Sequence, residues 1–160
     1  MRVGDVMSRP VAFCHPQTNL AEAAAMMWDH NCGALPVVSG GGKLTGIVTD
    51  RDICIALGTR NQRACEVTVG DVSSSQARSC GLDDDIPAAL RIMSEARVRR
   101  LPVVDSAGIL QGIFSLNDLV LWAQHLNGAN RPGVSYEDIV NTLVAICRRR
   151  RARSRAAVTA

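Results

Sequence analysis

Two heptapeptides hold the side chains best placed to do chemistry: Gly46-Ile47-Val48-Thr49-Asp50-Arg51-Asp52 and Gly112-Ile113-Phe114-Ser115-Leu116-Asn117-Asp118. Each runs glycine, two apolar residues, a hydroxyl, two variable positions and an aspartate. The glycine lets a ligand or a neighbouring chain approach the backbone. A hydroxyl at the start of a helix sits among free N–H groups whose dipole favours a phosphate. An aspartate one turn on can accept from both hydroxyls of a ribose, and hydrogen bonds to a charged group contribute about 1.5–3 kcal/mol each. The pattern suits a nucleotide. It also suits a helix capping box, which needs no ligand. The chain holds an internal control: Ser135-Tyr136-Glu137-Asp138 has the same hydroxyl-to-aspartate spacing without the glycine and the strand, and reads as a cap alone. What favours a ligand at the other two is that they recur at one place in a repeat.

Residues 3–53 align with residues 69–119 without a gap. Val3-Gly4-Asp5-Val6 matches Val69-Gly70-Asp71-Val72, and Leu35-Pro36-Val37-Val38 matches Leu101-Pro102-Val103-Val104. Even Cys14 matches Cys80. A register held that long implies two copies of one supersecondary unit.

Each copy must supply the elements that position its heptapeptide. A short extended segment opens it (Val11 to Cys14; Ala77 to Cys80). A helix follows, with Ala23, Met26, Met27 and His30 at helical spacing in the first copy and Ala89, Ile92, Met93 and Ala96 in the second. Thr18 or Asn19 can cap the first helix, and one of Asp83, Asp84 and Asp85 the second. Two short apolar runs come next, Leu35–Val38 and Leu44–Thr49, then Leu101–Val104 and Ile109–Ser115, separated by the turns Gly40-Gly41-Gly42 and Ser106-Ala107-Gly108. Closing helices are expected over Arg51–Leu57 and Asn117–Gln124. The reading is an α/β (α+β) chain of tandem strand-helix-strand-strand-helix units, packed about a pseudo-twofold axis around a shared core. Its expected divisions are repeat 1 over 1–58, a polar linker over 59–68, repeat 2 over 69–125, and a C-terminal helix with an arginine-rich tail over 126–160.

Composition sets the limits. Of the 160 residues 47% are hydrophobic but only 3% aromatic, so the core is aliphatic. The net charge of +3 belongs to the tail: six of the 18 basic residues lie between Arg148 and Arg155, and the rest of the chain carries more acidic than basic groups. The six cysteines show no C-x-x-C spacing and the three histidines do not pair with them at metal-ligand spacing. With neither a signal-like apolar segment nor a run long enough to span a bilayer, a reducing cytoplasm is the expected setting. Cys14 and Cys80 read as packing residues. His15, His30 and His125 read as surface or helix-side residues. Nothing resembles a nucleophile–base pair, a carboxylate metal cluster or a cofactor loop, so no enzyme is expected.

The repeat resembles the CBS domain, and the pair resembles a Bateman module. The likeness covers residues 3–123 and rests on Asp5-Val6-Met7-Ser8-Arg9-Pro10, the two Leu-Pro-Val-Val strands and the two heptapeptides. It implies that Thr49 and Ser115 contact ribose or phosphate and that Asp52 and Asp118 hold the ribose. AMP, ADP, ATP and S-adenosylmethionine are the regulatory ligands it implies, with a homodimer as the usual assembly; no required cofactor and no metal are expected. Ser73 to Gln76 depart from the opening pattern of Met7 to Pro10. Small stand-alone stress proteins without a known nucleotide share the pattern, so a ligand-free role stays open.

The copies differ in charge. Asn31-Cys32-Gly33-Ala34 precedes the first Leu-Pro strand, and Arg97-Val98-Arg99-Arg100 the second. Arg97 reads as a solvated helix end, whereas Arg99 and Arg100 are phosphate candidates. With Arg51 and Asn117, the second variable position of each heptapeptide, they complete the expected site. The closing helices carry Ile53, Ile55 and Leu57, and Leu119, Val120, Leu121 and Trp122, an apolar surface expected to pair two copies. Beyond a loop over Asn127–Gly133, residues Val134–Arg151 read as a helix with Ile139, Val140, Leu143, Val144 and Cys147 on one face. Its arginine-rich end reads as a solvated tail. Nucleic-acid or membrane binding through that tail is the weaker alternative. A regulated protein partner is implied, but the sequence does not name it.

Overall fold

The computed structural model describes residues 1–74, 77–125 and 135–148, and their side chains except for residues 123–125. The elements are α1 (Leu20–Asp29), β1 (Ala34–Val38), β2 (Leu44–Thr49), α2 (Asp50–Arg60), β3 (Cys80–Gly81), α3 (Ile86–Ala96), β4 (Arg100–Val104), β5 (Leu110–Ser115), α4 (Leu116–His125) and α5 (Tyr136–Cys147). The chain is mixed α/β, with β1-β2 forming one sheet and β3-β4-β5 the other. The two hairpins share one register: Val37 faces Gly46 as Val103 faces Gly112, and each slips by a residue at the next position. The opening strand differs. In the second repeat, β3 runs parallel to β4 through Cys80 and Gly81, while in the first a single parallel bridge joins Cys14 to Val37.

Local chemistry sets the ends of these elements. Asn19, not Thr18, caps α1, taking the Glu22 N–H at 2.9 Å, and Thr18 instead accepts from the His15 N–H. Asp85 caps α3 through the Ala88 N–H at 2.7 Å. The expected end of α2 at Leu57 is too early. The helix runs through Gly58 to Arg60 and stops where Asn61 turns left-handed at φ 51°. Beyond it, Val67 is buried, so residues 61–68 are tied to the body of the protein.

The expected shared core is in fact two, and the opening segments are exchanged between them. One core gathers Leu20, Met27, Leu35 and Val48 of the first repeat and takes Val67 and Val69 from the start of the second. The other gathers Ile86, Met93, Leu101 and Phe114 of the second repeat and takes Val3 and Met7 from the start of the first. Backbone bonds follow the same reciprocity. The Gly4 N–H donates to Leu82 at 3.0 Å and the Gly70 N–H to Pro16 at 2.8 Å. Ser8 bridges Ile113, and Ser74 bridges Ile47. On the pseudo-twofold axis, Lys43 bridges its own counterpart Ile109. There the Leu44 N–H donates to Gly108 at 3.0 Å, and the Leu110 N–H to Gly42 at 3.1 Å.

α5 lies against α3. The sequence pattern places one apolar face on it, and the structure separates two. Ile139, Thr142 and Ile146 turn inward, while Val140, Leu143, Val144 and Cys147 remain exposed on the adjoining side. The loop over Asn127–Gly133, Val134, the His125 side chain and the arginines from Arg149 onward lie outside the described residues.

Candidate functional site

Both heptapeptides end a strand and begin a helix. Thr49 closes β2 and caps α2: Asp52 Oδ2 accepts the Thr49 N–H at 2.9 Å and its hydroxyl at 2.7 Å, and Thr49 Oγ1 accepts the Asp52 N–H at 3.2 Å. Ser115 and Asp118 repeat the pattern at 2.7, 2.6 and 3.2 Å. Ser135 and Asp138, the internal control, do the same at 2.8, 2.9 and 3.1 Å. The capping reading is therefore realised at all three. What separates the first two is their surroundings.

Those surroundings come from the other repeat. Ser8, in the opening segment of the first copy, donates its hydroxyl to Asp118 Oδ1 at 2.6 Å. A Cβ built on Gly112 would lie 2.8 Å from both the Ser8 carbonyl oxygen and the Met7 sulfur. A Cβ on Gly46 would lie 2.7 Å from the carbonyl oxygen of Ser74. The two glycines thus admit a neighbouring segment of the chain. Because the openings are exchanged, Met7–Pro10 belongs with the Asp118 heptapeptide, and the divergent Ser73-Ser74 belongs with Asp52.

The flanks differ as well. Arg100 is the β4 partner of Ser115, where Ala34 partners Thr49. The Arg99 carbonyl accepts the Leu116 N–H at 3.2 Å, as Gly33 accepts that of Asp50 at 3.3 Å. Arg100 is half-buried, whereas Arg99, Arg51 and Asn117 are exposed. Arg97 is the left-handed C-cap of α3 at φ 55°, the helix-end role expected of it. Asp50 Oδ1 accepts the Arg51 N–H at 2.7 Å, so a carboxylate of the chain already occupies the N-terminus of α2. Its counterpart Leu116 is apolar and buried.

Among the described residues, two further hollows lie elsewhere. One of about 180 Å³ sits beside the axis, between Lys43, Leu44 and Thr45 of one repeat and Ala77, Ser79 and Val104 of the other. It is smaller than the roughly 300 Å³ at which ligand pockets usually begin. A groove of about 380 Å³ separates α3 from α5. Neither is lined by a heptapeptide residue. Cys14 and Cys80 face the two cores, and burial pushes their thiols up to about 11 and about 12, the nearby Asp84 adding to the second. Among the described residues no cluster of three or more His, Cys, Asp or Glu could hold a metal ion. No described helix is long and apolar enough to cross a membrane. Sequence reasoning missed Ser8 and Asp50. The equal spacing of the two openings was the signal for Ser8, but a linear reading does not reveal that the openings change places.

The family model of the CBS domain matches residues 3–59 and again residues 69–125. The CBS domain-containing protein YhcV of Bacillus subtilis (strain 168) is 34% identical over 139 residues, which are 86% of this chain and 97% of that protein. The CBS domain pair of protein MJ0100, solved with 5′-methylthioadenosine and S-adenosyl-L-methionine, aligns with a TM-score of 0.70 at 27% identity, over 79% of this chain and 98% of that one. CBSX2 in complex with AMP aligns with a TM-score of 0.69 at 26% identity, over 79% of this chain and 98% of that one.

Proposed function

Since the chain belongs to the CBS domain family and carries two copies of the domain, we propose that it is a regulatory module, not an enzyme, that binds an adenosyl ligand between its repeats. AMP, ADP, ATP and S-adenosylmethionine are the candidates. The observation that carries this reading is position. Thr49–Asp52 and Ser115–Asp118 both lie where one repeat meets the opening segment of the other. The chemically identical box at Ser135–Asp138 caps a helix outside the two repeats. A cap needs only its own helix; a ligand held between repeats needs the junction. The related structures that hold AMP, or S-adenosylmethionine with methylthioadenosine, support the ligand class.

The second junction suits a phosphate better. Asp50 places a fixed negative charge at the N-terminus of α2, where a phosphate would sit, and Leu116 removes that charge from α4. Arg99 and Arg100 lead into β4 beside Ser115. Thr49, Arg51, Asp52, Arg99, Arg100, Ser115, Asn117 and Asp118 make up the proposed contacts, with the nucleotide strongest at the second group. A homodimer in the cytoplasm, signalling ligand state to a protein partner, completes the proposal. Of the apolar residues expected to form the dimer surface, Ile53 and Leu119 belong to the cores, while Ile55, Val120 and Leu121 are exposed.

One observation favours a second reading, a ligand-free structural protein: each heptapeptide aspartate is already satisfied within the chain. Thermal melting with AMP, ATP and S-adenosylmethionine separates the two. A ligand that binds only the native state raises Tm. The expected result is an upward shift in the wild type and a smaller one in the Asp52→Ala/Asp118→Ala protein, with affinity falling about 10- to 100-fold for the stronger site when Asp118 alone is changed. Equal shifts in the wild type and the double variant reduce both motifs to caps. No shift with any of the three ligands supports the ligand-free reading.

A further inference from the structure

α5 is anchored on one side and bare on the next. Ile139, Thr142 and Ile146 hold it to the second repeat, and the Ser135–Asp138 box fixes its first turn. On the adjoining face Tyr136, Val140, Leu143 and Val144 are exposed by 81, 44, 37 and 47%, and Cys147 is exposed as well. Tyr136, Val140, Leu143 and Cys147 follow one another at steps of four, three and four residues, the spacing of a coiled-coil seam, and Val144 widens it.

Charge decides what fits there. Glu137 and Arg148, both exposed, lie at opposite ends of α5 and on the same flank of the seam at about 100° per residue. In an antiparallel pair of identical helices, like flanks face each other. Glu137 of one copy then lies within two residues of rise, about 3 Å, of Arg148 of the other at both ends, and the helix dipoles run in opposite directions. A parallel pair would bring the two basic ends together. The seam is self-complementary in one direction only: Val140 meets Leu143, and Tyr136 meets Cys147. We propose that α5 is a self-association surface that takes a second copy of this chain, its α5 packed antiparallel across a twofold axis. The interface is isologous and separate from the apolar residues of α2 and α4.

The test is sedimentation of the full chain across a concentration series, with three variants and one cross-link. Leu143→Asp places a carboxylate at the middle of the seam, and the exposed position leaves the inner face of α5 intact. Self-association is expected to weaken by about tenfold or more. Glu137→Arg is expected to weaken it too, and adding Arg148→Glu to restore it. For the direction, the Tyr136→Cys protein is oxidised and the linked peptides are mapped by mass spectrometry. The thiol introduced at position 136 of one copy is expected to link to Cys147 of the other, and no Cys147–Cys147 link is expected in the wild type. A predominant Cys147–Cys147 link overturns the antiparallel arrangement. Association unchanged by Leu143→Asp but abolished by Val120→Asp on α4, or a monomer at every concentration, overturns the surface itself.

Discussion

The hydroxyl of Ser8 donates to Asp118 Oδ1 at 2.6 Å across 110 residues of sequence. Asp118 uses its other oxygen for the Ser115 cap, so this one carboxylate joins the opening of the first repeat to the closing helix of the second. A double-mutant cycle of Ser8→Ala and Asp118→Ala, followed by denaturant unfolding, is expected to show a coupling of about 0.5–1.5 kcal/mol. Strict additivity would mean that the bond contributes nothing.

Gly46 and Gly112 should resist substitution. An alanine Cβ would stand 2.7 Å from the Ser74 carbonyl oxygen at one and 2.8 Å from that of Ser8 at the other. Both neighbours are backbone, so relief requires the opening segment to move, at about 1–3 kcal/mol. Gly41→Ala is the control: nothing lies within 4 Å of its Cβ, and a change within about 0.5 kcal/mol is expected. Equal melting of the three variants would contradict the exchanged packing.

The thiols should divide into two classes. Cys54, Cys65 and Cys147 are exposed, and iodoacetamide at mildly alkaline pH should label them first. Cys14 and Cys80, with folded pKa values of about 11 and about 12 against an ordinary 9.0, should stay protected until the chain unfolds. These values are raised, so the associated stability is complete below pH 9.0 and is lost as pH climbs through about 11 and about 12. Replacing both by alanine should flatten the fall in Tm on the alkaline side.

The α5 cap carries an acid dependence of opposite sign. Two hydrogen bonds from Ser135 lower the Asp138 pKa below its ordinary 3.8. Its contribution is therefore present at neutral pH and disappears as pH falls below 3.8 through the folded value. Ser135→Ala should lower Tm at neutral pH, and its difference from the wild type should narrow on acidification. A difference that holds constant with pH would remove the carboxylate from the account.

The α/β repeat pattern is legible in the sequence because the gapless alignment, the Leu-Pro-Val-Val strands and the glycine turns are all local signals. The choice between alternative caps is not: preferring Asn19 over Thr18 needs the position of the His15 N–H. The expected end of α2 falls short because Gly58 suggests a stop, whereas the turn comes at Asn61, a residue that also tolerates the left-handed region. On α5, adjacent inner and outer faces merge into one stripe when only hydrophobicity is read, and α3 decides which half is covered. The heptapeptides point to the aspartates, but their partner Ser8 comes from a distant segment that only the exchange brings near.

That exchange gives the connection between the repeats a thermodynamic role. A first repeat expressed alone would have the Val3–Met7 segment without its core, and Ile47 of β2 without Ser74 opposite. Two such fragments could satisfy each other by trading arms, as separate chains do in a domain-swapped dimer. In the intact protein the stretch from Asn61 to Thr68 makes that bimolecular step internal, and the concentration of each arm at its target becomes fixed by tether length instead of by protein level. Dilution leaves the completed pair assembled, whereas a proteolytic nick in the tether would make its two halves a concentration-dependent complex.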